Sequence, residues 1–285
     1  MGKDLLVRVS RCSIGRRGAV TALFCAGALA VVASPASAAV PRLPEAHVGP
    51  AKIVSPIPVL SLATTPENSY NWSGYVTQES SGATFTEAVT TYKQPVVTCP
   101  VSNAFSVFWV GFDGWGDSTV EQDGTGAECI NGTPDYFAWW EMYPTNSIQP
   151  FSMSVAPGNK IKATVTYAAG SGQYTMTVSN LTTGQQNTAT ATCASGLQCL
   201  RSVAEWISER PSVGPNLAPL AKWKTFAYNG DKAAATPSGS ALKPISHFTN
   251  LNVTMVSQID GSTLARASKL GSGGTSFTST WVKTQ

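Results

Sequence analysis

The sequence predicts an all-β protein, a sandwich of two antiparallel sheets. Apolar and polar residues alternate over several segments rich in Thr and aromatic residues, which is the pattern of a half-buried strand. Gly-rich or Asp-Gly turns separate these segments. No long segment holds a helical period, and these three observations together favour the sandwich over a helical fold.

The clearest strand pattern lies between residues 160 and 180, "KIKATVTYAAGSGQYTMTVSN". Ile161, Ala163 and Val165 alternate with polar residues, Gly-Ser-Gly interrupts, and the alternation then resumes, which predicts a hairpin. The same pattern recurs in "NLNVTMVSQIDGSTLARAS" and in "GTSFTSTWVK" near the end of the chain. The segment closest to a helical period is "CLRSVAEWISE", residues 199–209.

Residues 1–38 have the three parts of a secretory signal peptide. Arginines precede an apolar run from Ala19 to Val32, and "SPASAAV" then offers small residues for cleavage, which we place after Ala38. The run is too short to anchor the chain stably in a membrane. We therefore expect a secreted, extracellular protein with no membrane attachment after signal removal. The pair Arg16-Arg17 leaves twin-arginine export open.

Removal of the signal changes the charge of the chain. The whole sequence has 19 basic and 16 acidic residues. Residues 1–38 hold five of the basic and one of the acidic residues, so 14 basic and 15 acidic residues remain. No cluster of Lys and Arg stands out in the remainder, which argues against a nucleic-acid partner.

The next segment, residues 39–68, is expected to be a Pro-rich leader. Five prolines between positions 41 and 58 would interrupt a helix or a central strand. The segment is either a pro-segment or a disordered tether. Residues 69–285 are long enough for one sizeable core, and we expect them to form a single β-sandwich domain that is a monomer.

Four cysteines remain after signal removal: Cys99, Cys129, Cys193 and Cys199. An even number in an exported chain indicates disulfides, with three possible connectivities. We predict the local pairs Cys99–Cys129 and Cys193–Cys199. A zinc site is the rival interpretation, but the sequence has no C-x-x-C pair, and His247 is the one histidine beyond the leader.

The motifs that the sequence lacks narrow the chemistry. H-E-x-x-H, P-loop and G-x-S-x-G patterns do not occur in it. A Ser-His-Asp or Cys-His scheme would depend on His247 alone, and a lone histidine is more often structural. We therefore expect no metal and no cofactor, and a reaction carried by carboxylates and amides.

The stretch "AEWISERP", residues 204–211, places Glu205 and Glu209 beside large apolar residues. Charged residues are 12% of the chain, so these two carboxylates need an explanation. A solvated surface position is the ordinary interpretation of such a glutamate. A partly desolvated carboxylate is a better base, however, and the spacing of four leaves both residues on one face of a helix or a strand.

Five short motifs follow one another between Asn71 and Ile207. They are "NWSGYV" at 71–76, "FWVGFDG" at 108–114, "EQDGTG" at 121–126, "AWWEMYP" at 138–144 and "AEWI" at 204–207. Each motif by itself is weak. In this order and spacing they resemble the glutamic peptidase family, the eqolisins or peptidase family G1, over essentially the whole of residues 69–285.

The resemblance implies a lectin- or glucanase-like sandwich with a substrate cleft on one curved sheet. It also implies a secreted acid endopeptidase that acts on proteins or peptides, with Glu205 as catalytic glutamate and Gln122 as catalytic glutamine. The residues expected to line or brace the cleft are Trp109, Asp113, Trp139, Glu141 and Glu209. Glu141 is the chief rival catalytic acid, because "AWWEMY" also places a carboxylate among aromatic residues.

One departure from the family pattern concerns Asp123. Family members usually have Thr or Ala after the catalytic glutamine, whereas this chain continues Gln122-Asp123-Gly124. The additional carboxylate would either raise the pKa of Glu205 by like-charge repulsion or point to solvent.

Two other classes of protein fit the same residues. A glycoside hydrolase on a similar sandwich would use Glu141 and Glu205 as paired carboxylates, with tryptophans stacking on sugar rings. A carbohydrate-binding module or lectin would use the aromatic residues without catalysis. The glycosidase does not need Gln122, and the lectin needs neither acid.

The leader also suggests a means of regulation. Its first half carries Arg42, His47 and Lys52 beside Glu45. We expect this basic segment to cover an acidic cleft until acid protonates the carboxylates and weakens the attraction. Those carboxylates would be Asp113, Glu141, Glu205 and Glu209.

Overall fold

The computed structural model describes residues 46–54, 64–79, 82–236 and 241–285, all within the unit that runs from Ala38 to Gln285. The expected signal peptide and Arg42 therefore lie outside the described residues. Within the described ranges, no helix has the length and apolar character that crossing a bilayer requires.

The described residues form strands and one 3-10 turn, with no α-helix among them, so the predicted all-β class is confirmed. The 3-10 turn spans Ile245–His247. In chain order the strands are β1 (Ala46–His47), β2 (Thr64–Ser69), β3 (Trp72–Gln78), β4 (Thr84–Lys93), β5 (Val97–Thr98), β6 (Phe105–Phe112), β7 (Val120–Ile130), β8 (Thr133–Tyr143), β9 (Gln149–Pro150), β10 (Lys160–Ala168), β11 (Gln173–Asn180), β12 (Gln185–Thr192), β13 (Val203–Glu209), β14 (Ser212–Val213), β15 (Asn216–Leu217), β16 (Lys222–Trp223), β17 (Phe226–Thr236), β18 (Lys243–Pro244), β19 (Thr249–Val256), β20 (Thr263–Ala267) and β21 (Ser276–Trp281).

The long strands build one continuous sheet in the order β12-β11-β10-β4-β17-β21-β20-β19-β3-β13-β6-β7-β8-β9. Its two halves face each other and meet through side chains. The Tyr92 hydroxyl on β4 donates to the Phe108 carbonyl on β6 (2.9 Å), and Trp206 Nε1 on β13 donates to the Val89 carbonyl on β4 (2.9 Å). The predicted antiparallel β-sandwich is confirmed.

Alternation along the strands fills the space between the halves. In the predicted hairpin, now β10 and β11, Ile161, Ala163 and Val165 are fully buried, as the sequence pattern requires. The segment nearest to a helical period forms strand β13 instead. There Trp206 packs in the core between the halves, while its neighbour Ile207 belongs to a second apolar cluster on the outer face.

Both predicted disulfides are present. Cys99–Cys129 ties the segment before β6 to the end of β7, and Cys193–Cys199 closes the short connection between β12 and β13.

Part of the segment expected to be a leader belongs to the sheet. β2 pairs in parallel with β19, and on its other side Ile53 bridges Ser69 at the end of the strand, so β2 is an edge strand at Pro66. Pro66 lies within β2, and an edge position tolerates its missing N–H group.

Candidate active site

Five neighbouring strands bring the predicted catalytic residues into one row on the outer face of the sheet. The register aligns Val76 on β3, Glu205 on β13, Gly111 on β6, Gln122 on β7 and Glu141 on β8. Residues opposite one another in antiparallel strands share a face. Glu205 and Gln122 are thus two strands apart, with about 10 Å between their backbones.

Gly111 keeps the space between these two side chains open. A Cβ atom at this position would lie 2.9 Å from Gln122 Cβ and 2.8 Å from the carbonyl oxygen of Glu121. Any larger residue would therefore displace Gln122 or spread the strands. The quoted "FWVGFDG" motif contains this glycine, but sequence reasoning gave it no role.

Glu205 is the most isolated carboxyl group of the row. The residue is fully buried, and no described residue forms a hydrogen bond with either carboxyl oxygen. Burial raises the pKa of Glu205 well above its ordinary value, and the negative charges of Asp113, Asp117 and Glu121 raise it further. The carboxyl group is therefore uncommitted to any structural contact and holds its proton tightly, as an acid–base group in a dry site does.

The position of Asp123 contradicts both expectations for it. Asp123 follows Gln122 along β7 and so points to the opposite face of the sheet. There it is fully buried, between the two halves of the sandwich, rather than beside Glu205 or in solvent. The charges that raise the pKa of Glu205 belong instead to Asp113, Asp117 and Glu121.

Asp113 braces the strand that carries Glu205. Its Oδ2 accepts a hydrogen bond from Arg201 N (2.6 Å) and its Oδ1 accepts one from Ser202 N (2.8 Å), directly before β13. Asp113 is in the left-handed region (φ 65°), which aspartate tolerates better than most residues. Burial first, and then the charge of Asp117, raises the pKa of Asp113 to about 6.

An apolar row lies beside the catalytic row. Ile207, Trp109, Gly124 and Trp139 align across β13, β6, β7 and β8, and both tryptophans are fully buried. Trp109 Nε1 also donates to Glu209 Oε2 (3.2 Å). These side chains form the floor of the cleft.

Glu209 lies on the same face as Glu205, as its spacing predicted, but it has hydrogen-bond partners. Besides Trp109 it accepts a hydrogen bond from Asn71 Nδ2 (3.0 Å). Burial raises the pKa of Glu209 well above its ordinary value, although these two donors act in the opposite direction. Its carboxyl group is therefore held in place by the cleft wall.

An extended segment of the same chain, residues 46–54, lies along this cleft. At its start, β1 pairs antiparallel with β14, and Ile148 N donates to the Ala46 carbonyl (3.1 Å). At its other end, Ala51 N donates to the Gly114 carbonyl and Tyr70 N to the Lys52 carbonyl (both 2.9 Å). The segment is thus bound through its backbone at both ends.

Side chains of the catalytic row bind the centre of this segment. Gln122 Nε2 donates to the carbonyl oxygen of Val48. Glu141 accepts a hydrogen bond from Val48 N (2.9 Å), and His47 Nδ1 lies 3.1 Å from its other oxygen. Burial raises the pKa of Glu141 to about 7, even though both contacts lower it.

The "NWSGYV" motif supplies two further contacts that sequence reasoning did not assign. Trp72 Nε1 donates to the Gly49 carbonyl (3.2 Å), and Asn71 Nδ2 donates to the Pro50 carbonyl (3.1 Å). The motif was therefore a usable signal for two residues that bind backbone carbonyl groups.

The leader was expected to cover the cleft through several pairs of opposite charges, and the described residues form fewer such pairs than expected. Among the described residues, the ion pair between this segment and the cleft joins His47 to Glu141. Lys52 has an exposed side chain, and the Asp113 carboxylate faces backbone N–H groups instead.

Comparison with known proteins shows the family and the fold of this chain. A model of the peptidase A4 family matches residues 70–279. Aspergillopepsin-2 of Aspergillus niger is 32% identical over 164 residues, or 57% of this chain and 55% of that protein, so the match spans about half of this relative. Aspergilloglutamic peptidase from Aspergillus niger superposes with a TM-score of 0.54 at 31% identity, covering 63% of this chain and 99% of its own. Scytalidoglutamic peptidase, solved with a peptide-based transition-state analogue, has the same fold, with a TM-score of 0.62 at 23% identity over 75% of this chain and 98% of its own.

Proposed function

Because the chain belongs to the peptidase A4 family, the glutamic peptidases or eqolisins, we propose that it is a secreted, monomeric endopeptidase that works in acid. The observation that carries this proposal is the contact of Gln122 with a peptide carbonyl, that of Val48. The cleft already binds an extended stretch of polypeptide through its backbone. Backbone recognition of that kind suits an enzyme whose substrates are proteins or peptides.

Glu205 performs the proton transfers. As a carboxylate it takes a proton from the attacking water molecule, and as a carboxylic acid it then gives that proton to the leaving nitrogen. Burial raises the pKa of Glu205, so the carboxylate is a stronger base and the carboxylic acid stays protonated to a higher pH. The absence of hydrogen bonds from described residues to Glu205 supports this assignment, because no fixed donor stabilises the carboxylate and weakens it as a base.

Gln122 stabilises the oxyanion. Its amide group donates to a peptide carbonyl oxygen, which gains negative charge when water attacks the carbonyl carbon. A donor of this type contributes about 10²–10³ in rate in other hydrolases. Glutamine does not titrate, so the pair Gln122/Glu205 has one ionisable member.

The other residues of the cleft position the substrate. Glu141 accepts the N–H group of the residue whose carbonyl contacts Gln122, so it fixes the register of the bound peptide. Trp109 and Trp139 form the apolar floor, and Glu209 keeps the Trp109 indole in place. Asp113 orients the start of the strand that carries Glu205.

Hydrolysis of denatured casein in acid by the purified chain tests the proposal. We expect cleavage at internal bonds, and no release of sugar from β-glucan under the same conditions. Release of sugar without casein cleavage would contradict the peptidase assignment and indicate a glycoside hydrolase. Binding to the polysaccharide without hydrolysis of either polymer would indicate a carbohydrate-binding protein.

A further inference from the structure

The segment 46–54 is bound on both sides of one peptide bond, that between Val48 and Gly49. Before this bond, Ile148 N holds the Ala46 carbonyl and Glu141 holds Val48 N. After it, the Gly49 and Pro50 carbonyls accept hydrogen bonds from the side chains of Trp72 and Asn71. The Val48 carbonyl itself receives the Gln122 amide.

The side chains of this segment alternate as those of a bound substrate strand do. Ala46 and Val48 are fully buried in the apolar cluster of the cleft, whereas His47 between them is partly exposed. Burial of the valine side chain removes apolar surface from water and so stabilises the bound segment. On the other side of the bond, a Cβ atom on Gly49 would lie 3.2 Å from Tyr143 Cε2, so this position favours glycine.

We propose that the Val48–Gly49 bond is the chain's own first substrate and is cleaved within the same molecule. This inference rests on the proposed function of Gln122 and Glu205. Among the described carbonyl groups of the segment, that of Val48 is the one bound by the Gln122 amide. The carbonyls of Ala46, Gly49 and Pro50 are bound by groups outside the catalytic pair.

The reaction is an ordinary hydrolysis. Water attacks the Val48 carbonyl carbon while Glu205 takes one of its protons, and Gln122 stabilises the resulting oxyanion. The C–N bond then breaks as Glu205 gives its proton to the Gly49 nitrogen. The products are a Val48 carboxyl group and a new N-terminus at Gly49, which the contacts of Gly49, Pro50 and Ala51 retain on the domain.

The test begins with the secreted chain, purified at neutral pH and then transferred to a series of acidic buffers on both sides of the ordinary glutamate pKa of about 4.3. Intact mass and N-terminal sequencing follow the cleavage over time. We expect a first product that begins at Gly49, formed at a rate independent of protein concentration. A first cut at another bond, or a rate proportional to protein concentration, would overturn the inference.

Two variants and a synthetic peptide sharpen this test. Gly49→Pro adds a ring at the leaving nitrogen, with a Cβ atom 3.2 Å from Tyr143 Cε2, and should slow this cut about 100-fold by misplacing the bond. Lys52→Gln is the control on the same segment, because its side chain is exposed, and should be cleaved like the unaltered chain. A peptide with the sequence of residues 46–51, added to the processed enzyme, should be cut between its Val and Gly. An intact peptide would contradict the proposed register even if Gly49→Pro failed to fold.

A parallel casein assay separates this inference from the proposed function. Casein hydrolysis that depends on Glu205, combined with an intact Val48–Gly49 bond, would refute self-cleavage and leave the peptidase assignment standing. Absence of casein hydrolysis from a chain already processed at Gly49 would refute the peptidase assignment, because another protease would then have made the cut.

Discussion

The stability of this protein should fall as the pH rises from acid to neutrality. Burial raises the pKa of the carboxyl groups of Asp113, Asp123, Glu141, Glu205 and Glu209 in the folded protein. A carboxyl group whose folded pKa lies above its unfolded pKa binds more protons in the folded state at any pH between the two. Its stabilising contribution is complete below the unfolded pKa and is lost as the pH rises through the folded pKa.

Two of these groups allow the magnitude to be worked out. The pKa of Glu141 rises from 4.5 to about 7, and that of Asp113 rises from 3.8 to about 6. At 1.36 kcal/mol per pKa unit, each contributes about 3 kcal/mol, or about 6 kcal/mol together. A domain typically has a free energy of unfolding of about 5–15 kcal/mol, so this loss alone would be a large part of it. The other buried carboxyl groups act in the same direction.

Urea unfolding followed by tryptophan fluorescence, at about pH 3.5 and about pH 7.5, measures this loss in a chain that carries Gln122→Ala, which keeps these carboxyl groups and should suppress self-cleavage. Asp231→Asn removes a buried carboxyl group outside the cleft that accepts from Thr90 Oγ1 (2.7 Å), and should reduce the difference between the two pH values. Asp260→Asn is the exposed control. Hydrogen bonds from Ser262 and Lys283 lower the pKa of Asp260, so its contribution to stability has the opposite sign and this substitution should not reduce the difference. A free energy of unfolding that is equal or greater at neutral pH would refute the reasoning.

Three further predictions concern the cleft, a disulfide and inhibitors. Gly111→Ala should lower kcat/KM on casein by at least about tenfold, because its Cβ would displace Gln122, and an unchanged value would contradict the role of this glycine. Joint replacement of Cys99 and Cys129 by serine opens a loop with a sequence separation of 30 and should lower the free energy of unfolding by about 3–4 kcal/mol in urea; an unchanged value would count against it. Casein hydrolysis should persist in EDTA and in pepstatin, since the sequence has neither a known metal-binding motif nor the paired D-T-G segments of aspartic peptidases, and strong inhibition by EDTA would point to a metal site.

Local sequence patterns predicted the strands well where apolar residues alternate. The hairpin of Lys160–Ala168 and Gln173–Asn180 follows directly from such alternation, because one of its faces is buried and the other is not. In "EQDGTG" the polar residues are consecutive, so alternation could not tell whether Gln122 or Asp123 faces the cleft. Resemblance to a family placed Gln122 there, whereas the expectation for Asp123 was wrong.

Local sequence patterns did not predict the contacts between distant parts of the chain. The Val48 and Glu141 residues that meet in the cleft are 93 positions apart. The sequence indicated a basic leader and an acidic cleft, but charge alone does not specify which carbonyl group meets Gln122. That register depends on backbone hydrogen bonds, and a count of side-chain charges carries no information about them.

Casein turnover by three single variants is the most direct test of the central claim, that Glu205 and Gln122 carry the reaction. Each variant should first have the circular dichroism spectrum of the unaltered protein. Glu205→Gln should abolish most turnover, Gln122→Ala should lower kcat by about 10²–10³, and Glu141→Gln should cost less than Glu205→Gln does. Near-native turnover in Glu205→Gln or in Gln122→Ala would contradict the assignment of that residue, and a greater loss in Glu141→Gln than in Glu205→Gln would move the catalytic acid to Glu141.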